Sequence, residues 1–456
     1  MLTVRKSESA SREGLFSACD LPISRLSRLR VQSGCDSRHR RKRRYEVSEN
    51  ARAWRFLSVS MRCATATSPR VSRAKAPHGA LTRPLPSFRP MASNPALAPT
   101  ALPAQAEGMG ALRAAVEDRR SIRTRNVEGM RALREGPDAK SVFLLDQFGV
   151  LHDGKVAYPC AIEATRRLRE SGARLFIISN SSRRASGTLA KLEKLGFDPE
   201  WFEGVVTSGE ITHTKLGSRN ERHSTFRELG DRCLHFTWSA RGAVALDGVE
   251  GLFTVDAETF SRRGAEAVDF LLAHGTECVN GAGASDRERV SGSKDMPIEA
   301  MKPLLRLAAK ASLPLVVANP DLVTVGGEDG LLPMPGTLAS WYAEMPGHGP
   351  IHLMGKPGSV VYETLARMGG FTKQQTVAVG DSLEHDVNGA AAYGIDSAFV
   401  CGGVHAEALG YDPERLVARN VGDGSNVPAV DAAAIERLAD ASRCARPTVA
   451  SPVFRW

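Results

Sequence analysis

Residues 142–154, Val-Phe-Leu-Leu-Asp-Gln-Phe-Gly-Val-Leu-His-Asp-Gly, constrain the fold more than any other stretch of the chain. Four apolar residues, Val142 to Leu145, run without a polar break into Asp146, and glycines follow at 149 and 154. A short apolar run closed by a glycine turn reads as a buried strand. Its last residue is then a carboxylate at the carboxyl end of a parallel strand, where open α/β sheets place their ligands. The glycines let the chain fold back tightly beyond it. Taken alone, the stretch fits equally a strand whose terminal Asp merely caps the next turn.

The flanking sequence supplies the rest of a sheet. Before it, Leu112, Val116 and Ile122 among many charges predict a helix and loop. After it, the spacing predicts a helix over 161–170, with Ile162, Thr165 and Leu168 on one face and Ser171-Gly172 as its stop. A second buried strand over 174–179 runs into Ser179-Asn180-Ser-Ser-Arg183. A helix over 185–195, stopped by Gly196, and a third strand over 205–210 follow. Strand, helix, strand, helix, strand is the rhythm of a doubly wound parallel sheet.

That rhythm breaks after residue 212. Short strands at 234–238, 277–279 and 315–318, with a helix over 297–311, predict an inserted second domain, and 346–350 reads as a Gly- and Pro-rich return linker. The first sheet is then expected to resume with a strand over 351–354, the loop Gly355-Lys356-Pro357-Gly358 and a helix over 359–368. A strand from Thr376 to Gly380 leads into Asp381 and Asp386, and 397–400 is the last core strand. The expected organisation is a leader over 1–105, core over 106–212, insertion over 213–347, core over 348–410, and a tail over 411–456 with one helix near 431–442.

Charge is divided unevenly. The net charge is +9, but residues 1–100 hold 20 Lys and Arg against 6 Asp and Glu, leaving 40 against 45 for the remainder. A mildly acidic body gives no support to nucleic-acid binding. The basic, Ser-rich leader reads either as an organelle transit segment or as sequence upstream of a true start at Met91 or Met109. A nuclear signal at residues 40–44, Arg-Arg-Lys-Arg-Arg, is the weaker alternative. The first reading implies a chloroplast or mitochondrion, the second the cytoplasm. No run approaches the ~18 apolar residues of a membrane span. The eight cysteines form no C-x-x-C pair, so free thiols are expected rather than zinc or disulfides.

Asp146, Ser179, Lys356, Asp381 and Asp386 would all sit at strand ends, which share one edge in a parallel sheet. Such a set suits Mg2+, a hard cation that takes carboxylate and water oxygens. It also suits a phosphoryl group, which needs charge neutralisation and positioned donors. Asp146 and Asp381 would hold the metal, Asp146 would attack phosphorus, and Ser179 and Lys356 would grip phosphate oxygens.

The order Asp146…Ser179…Lys356…Gly380-Asp381-Ser-x3-Asp386 resembles the four motifs of the haloacid dehalogenase superfamily. The insertion between the second and third motifs is similar to the large α/β cap of subclass IIA, which includes nitrophenylphosphatase-like, phosphoglycolate and nucleotide phosphatases. Val150-Leu151…Gly154, Ser179-Asn180, Thr207-Ser208-Gly209, Ala318-Asn-Pro-Asp321 and Gly355-Lys-Pro357 share the likeness, which covers about residues 138–405. The resemblance implies an α/β Rossmann-like core with an inserted α/β cap. It also implies Mg2+ held by Asp146, the Phe148 carbonyl and Asp381, and a small phosphorylated metabolite as substrate. Pairing of two copies through the cap is a further expectation of the family.

One position departs from the family pattern. Asp-x-Asp is expected, the second Asp serving as general acid and base, and this chain has Phe148 there. A backbone carbonyl survives that change, but a proton donor does not, and such donors typically contribute ~100- to 10,000-fold. His152 or Asp153 are the candidate substitutes. Two functions therefore stand: a Mg2+-dependent phosphatase working through an aspartyl-phosphate, or a weak or inactive relative that binds a phosphorylated ligand. Asn180 is expected to orient Asp146 or reach substrate, with a turn amide as the alternative. Asp386 could equally cap its loop. Asn319-Pro-Asp321 reads as a structural turn, Arg183 and Arg184 as solvated, and His235, His274 and His352 as packing or surface residues.

Overall fold

The computed structural model describes residues 109–238, 246, 248–279, 298–325, 331–411 and 429–456. The expected leader over 1–105 lies outside the described residues.

Fifteen strands are described. The first four are β1 (Arg125–Asn126), β2 (Val142–Leu145), β3 (Arg174–Ser179) and β4 (Phe202–Thr207). Then come β5 (Arg232–Thr237), β6 (Phe253–Thr254), β7 (Phe270–Ala273), β8 (Cys278–Val279), β9 (Leu315–Val317), β10 (Val323–Val325), β11 (Leu331–Pro333) and β12 (Ile351–Leu353). The last are β13 (Thr376–Gly380), β14 (Asp396–Val400) and β15 (Val449–Ser451). Seven strands form one parallel sheet in the order β1-β15-β14-β13-β2-β3-β4.

All four residues of β2 are buried, because helices cover both faces of the sheet. Phe143 and Leu145 meet Leu175, Ile177, Leu168 and Leu192 on one side, whereas Val142 and Leu144 meet Phe176, Ile178, Val361 and Leu365 on the other. A register slip of one residue would exchange these two sets. With ~1.5–3 kcal/mol for each buried large side chain, the sheet is held firmly in register. The helices of the first side are α3 (Pro159–Glu170) and α4 (Ala185–Lys194), after α1 (Met109–Arg119) and α2 (Met130–Glu135) earlier in the chain. Proline begins α3 where its missing N–H does no harm, and Ala161, Ala164, Thr165 and Leu168 form its buried stripe.

The expected strand over 205–210 is corrected. β4 ends at Thr207, whose hydroxyl accepts from the Glu210 N–H and so caps α5 (Ser208–Gly217). A Thr three residues before a Glu is an N-terminal helix signal that outweighs a strand reading.

The second sheet runs β12-β9-β7-β5-β6, parallel throughout, with β8 antiparallel to β5. One face packs on α7 (Lys302–Lys310) and α8 (Pro335–Ala343), which follow α6 (Ala257–Arg263). From the other face, Cys233, Phe270, Leu272 and Val316 enter the same apolar cluster as Leu144 and Phe176 of the first sheet. The expectation that 351–354 rejoins the first sheet is therefore corrected. β12 pairs with β9, and the first sheet resumes only at β13, after α9 (Ser359–Gly369). His235 and His274 are fully buried in this sheet and bonded to each other at 2.8 Å, and burial holds His235 near 4. They are packing residues, as expected.

The helix expected near 431–442 is present, but 397–400 is not the last core strand, because β15 in the tail lies beyond it. α10 (Asn388–Tyr393) and α11 (Ala432–Ala441) pack beside β15, which extends the first sheet beyond β14 and accepts β1 at its far edge. In β15 the apolar run is only Val449-Ala450, too short to mark a strand without its partner β14. No described helix is long and apolar enough to cross a membrane.

Candidate functional site

β2 and β13 are neighbours, with Leu145 level with Val379, so their exits deliver Asp146 and Asp381 side by side. The Asp146 N–H donates to the Val379 carbonyl at 2.9 Å and continues the ladder one residue into the site. Beyond Asp381 the chain makes a π-helical turn, Leu383–Val387, which carries Asp386. Such turns are common at functional sites. Asp386 accepts from the Ser382 N–H at 3.1 Å. Asp386 thus arrives on a turn, not on the strand end expected for it.

Lys356 comes from the other sheet, just past β12, and is 2% exposed. Its Nζ lies 2.7 Å from Asp146 Oδ1 and 2.7 Å from Asp386 Oδ1. Burial alone would lower its affinity for a proton, but Asp146 and Asp386 outweigh that and hold it charged, above the ordinary lysine range. Burial pushes Asp146 up to about 7, with Lys356 opposing and Asp386 adding to the shift. Burial, followed by Asp146 and Asp386, also drives Asp381 well above the usual carboxylate range, against the N–H of Val404 at 2.8 Å.

The oxygens of Asp146, Asp381 and Asp386 lie within 4.8 Å of one another. Among the described residues the cluster sets three buried carboxyl groups against one lysine. An all-oxygen donor set of this kind fits a hard divalent cation. The Phe148 ring is 41% exposed and packs edge-on to His152.

Glycine makes room for the cluster. At Gly403 a Cβ would overlap both the Cβ and the carboxylate of Asp381, and at Gly149, where φ is +77°, it would meet the same carboxylate. Because the Asp381 Cβ cannot rotate away, Gly403→Ala is expected to lower stability by about 1–3 kcal/mol, as overpacking does. Urea unfolding would check this, and an unchanged midpoint would show that the loop yields freely.

The remaining expected residues separate into two groups. Ser179 is buried at the end of β3, beside β2, and its hydroxyl accepts from the Ser181 N–H at 3.2 Å. Asn180 faces Lys356. Its oxygen accepts from the Lys356 N–H at 2.7 Å, while its amide donates to the Lys356 carbonyl at 3.0 Å and to Asp321 Oδ1 at 2.8 Å. That geometry positions the lysine loop. Asp321, read from sequence as part of a turn, therefore ties the second sheet to the end of the first, with His385 Nε2 3.6 Å away. No local pattern singled out His385, whose place depends on the π-helical turn. Arg183 is exposed as expected, whereas Arg184 grips Glu210 with two bonds of 2.7 and 3.0 Å.

Both candidate acids hold a proton less readily than usual. Burial would raise Asp153, but the amides of Val156 and Lys155, donating at 2.6 and 2.7 Å, help to outweigh it and hold the carboxyl below its usual range. His152 is 3% exposed, is pushed by burial down to about 4, and accepts from Gly154 N–H through Nδ1. Its Nε2 has no partner among the described residues.

Two family models match the chain: haloacid dehalogenase-like hydrolase over residues 143–237, and HAD-hydrolase-like over 353–423. The 5'-nucleotidase YutF of Bacillus subtilis is 25% identical over 264 residues, covering 58% of this chain and 87% of that protein. The glycerol-3-phosphate phosphatase of Rattus norvegicus is 27% identical over 255 residues, covering 54% and 73%. Among solved structures, a possible sugar phosphatase of the HAD superfamily from Cytophaga hutchinsonii superposes with a TM-score of 0.50 at 18% identity, covering 73% of this chain and all of that one, a likeness of fold. Over residues 143–237 and 353–423 the chain is similar to haloacid dehalogenase-like hydrolases, and its fold is a Rossmann-like α/β one.

Proposed function

We propose that the protein is a Mg2+-dependent phosphomonoesterase acting on a small phosphorylated metabolite through an aspartyl-phosphate on Asp146. The observation that carries this is the buried cluster of Asp146, Lys356, Asp381 and Asp386 at the exits of β2 and β13. The relatives named as nucleotide and glycerol phosphate phosphatases support the reaction class.

Asp146, Asp381 and the Phe148 carbonyl would hold the cation, with Asp386 alongside. When bound, it withdraws charge from the phosphoryl oxygens and lowers the repulsion between two anions. Lys356 favours the ionised form of Asp146 against the effect of burial, and lessens repulsion as the Asp146 oxygen bonds to phosphorus and the ester oxygen departs. Ser179 offers its O–H to a phosphoryl oxygen. Water then attacks phosphorus, the bond to the Asp146 oxygen breaks, and inorganic phosphate leaves with the carboxylate restored. The second sheet acts as the cap, and the Asn180–Asp321 contact supports closure over the substrate.

The departing oxygen receives no proton from Phe148, so leaving-group basicity governs turnover. Phe148→Asp is expected to raise turnover of an alkyl phosphate about tenfold or more while changing that of an aryl phosphate little. The same gain on both substrates would point to a different bottleneck. The exposure of Phe148 leaves space for the carboxylate.

Phe148, together with the engaged Asp153, also supports the second reading, a binding protein for a phosphorylated ligand. Hydrolysis of 4-nitrophenyl phosphate by the full chain decides between them. The expected result is loss of activity on chelation and recovery with Mg2+. Mg2+ binding without turnover would favour the binding protein.

A further inference from the structure

The helices packed on the second sheet border an open concavity of about 500 Å³, lined by none of the residues of the carboxylate cluster. That volume falls within the range of small-molecule sites, ~300–1,000 Å³. Its wall is α7, Lys-Pro-Leu-Leu-Arg-Leu-Ala-Ala-Lys, a helix with no acidic residue. Leu304, Leu305 and Ala308 of this helix are buried in the core. Lys302, Arg306 and Lys310 recur at four-residue intervals, which lines them up along one side of the helix.

On a solvated helix face, cations at this spacing are commonly interleaved with acids. Here three like charges stand in a row, and none forms an ion pair among the described residues. Lys302 is also in the first turn, where the helix dipole opposes a cation. It is held there over the Trp341 ring, with Nζ 4.0 Å from the ring centroid. Trp341 and Met345 supply an apolar floor from α8 and the turn after it, and Glu344 is the one carboxylate in the lining. Uncompensated cations around an aromatic floor match an anion that carries a flat apolar body.

We propose that this pocket is a binding site for a small aromatic anion, with its charged head between Arg306 and Lys310 and its ring against Trp341 and Met345. The site is independent of the phosphoryl-transfer reading, so the probe is one that cannot be hydrolysed. The full chain is titrated calorimetrically with naphthalene-2-sulfonate and, separately, with inorganic sulfate. The expected result is saturable one-to-one binding of the sulfonate and much weaker binding of sulfate. In Arg306→Gln/Lys310→Gln, whose replaced side chains are exposed, affinity falls about tenfold or more with the unfolding midpoint unchanged. In Glu344→Gln, loss of the one negative charge strengthens binding about twofold or more. No saturable binding, equal affinity in the double variant, or equal affinity for sulfate would each overturn the proposal.

Discussion

Asp146→Asn is expected to abolish turnover of 4-nitrophenyl phosphate, by at least about 1,000-fold, since an amide neither attacks phosphorus nor forms the covalent intermediate. The same substitution should stabilise the metal-free protein at alkaline pH. Asp146 titrates near 7 in the fold against an ordinary 3.8, chiefly because it is buried. The folded state therefore binds a proton more readily than the unfolded chain over that interval. A raised pKa gives stability that is present below about pH 4 and is lost as pH rises towards 7. Asparagine does not titrate, so chelated Asp146→Asn should outlast the wild type in urea at pH 8 and match it near pH 4. Hydrolysis undiminished by the change would remove Asp146 from the nucleophile's role, whatever the stability result.

Lys356→Met should have the largest effect on folding. The ammonium bridges Asp146 and Asp386 at 2.7 Å each, almost wholly out of solvent. Without it, three carboxylates face one another in a buried space. Breaking a buried pair by removing one partner costs about 3–5 kcal/mol, because the surviving charge is left uncompensated. Protonation of the carboxylates relieves part of that cost, so the deficit should be greater at pH 8 than at pH 5. Urea unfolding at both values would measure it, and the variant should also lose turnover. A variant with wild-type stability and activity would mean that Lys356 is neither the anchor of the cluster nor a phosphate ligand.

Part of this site is legible in the amino-acid sequence. The run Val142–Leu145 into Asp146 and the run Thr376–Gly380 into Asp381 each mark a strand and a site residue together. Each is a continuous apolar segment with a local stop, and such a segment has few ways to be buried. The apolar face of α3 and the glycines that stop α3 and α4, Gly172 and Gly196, are readable for the same local reason. The sheet that a very short strand joins is not. β12, β15 and the two-residue β1 carry no period of their own, and only their partners decide which sheet receives them.

Asn180 shows the other limit. Its identity suggests a polar strand end, but its partner Lys356 lies 176 residues away, on a loop arriving from another sheet. Asp386 and Asp321 behave alike: each is an acid in a turn until crossing elements bring Lys356 and Asn180 against it.

By itself, the sequence determined the parallel α/β core, the insertion between its halves, and which residues are proposed as nucleophile, phosphate-gripping lysine and second acid. Apolar runs and their stops are local, and burial enforces them wherever they occur. The tertiary structure alone decided that Lys356 enters from the second sheet, that Asp386 shares it with Asp146, and that Asn180 and Asp321 hold its loop. Those contacts join segments far apart in the chain, and their geometry follows from how two sheets pack across one apolar cluster.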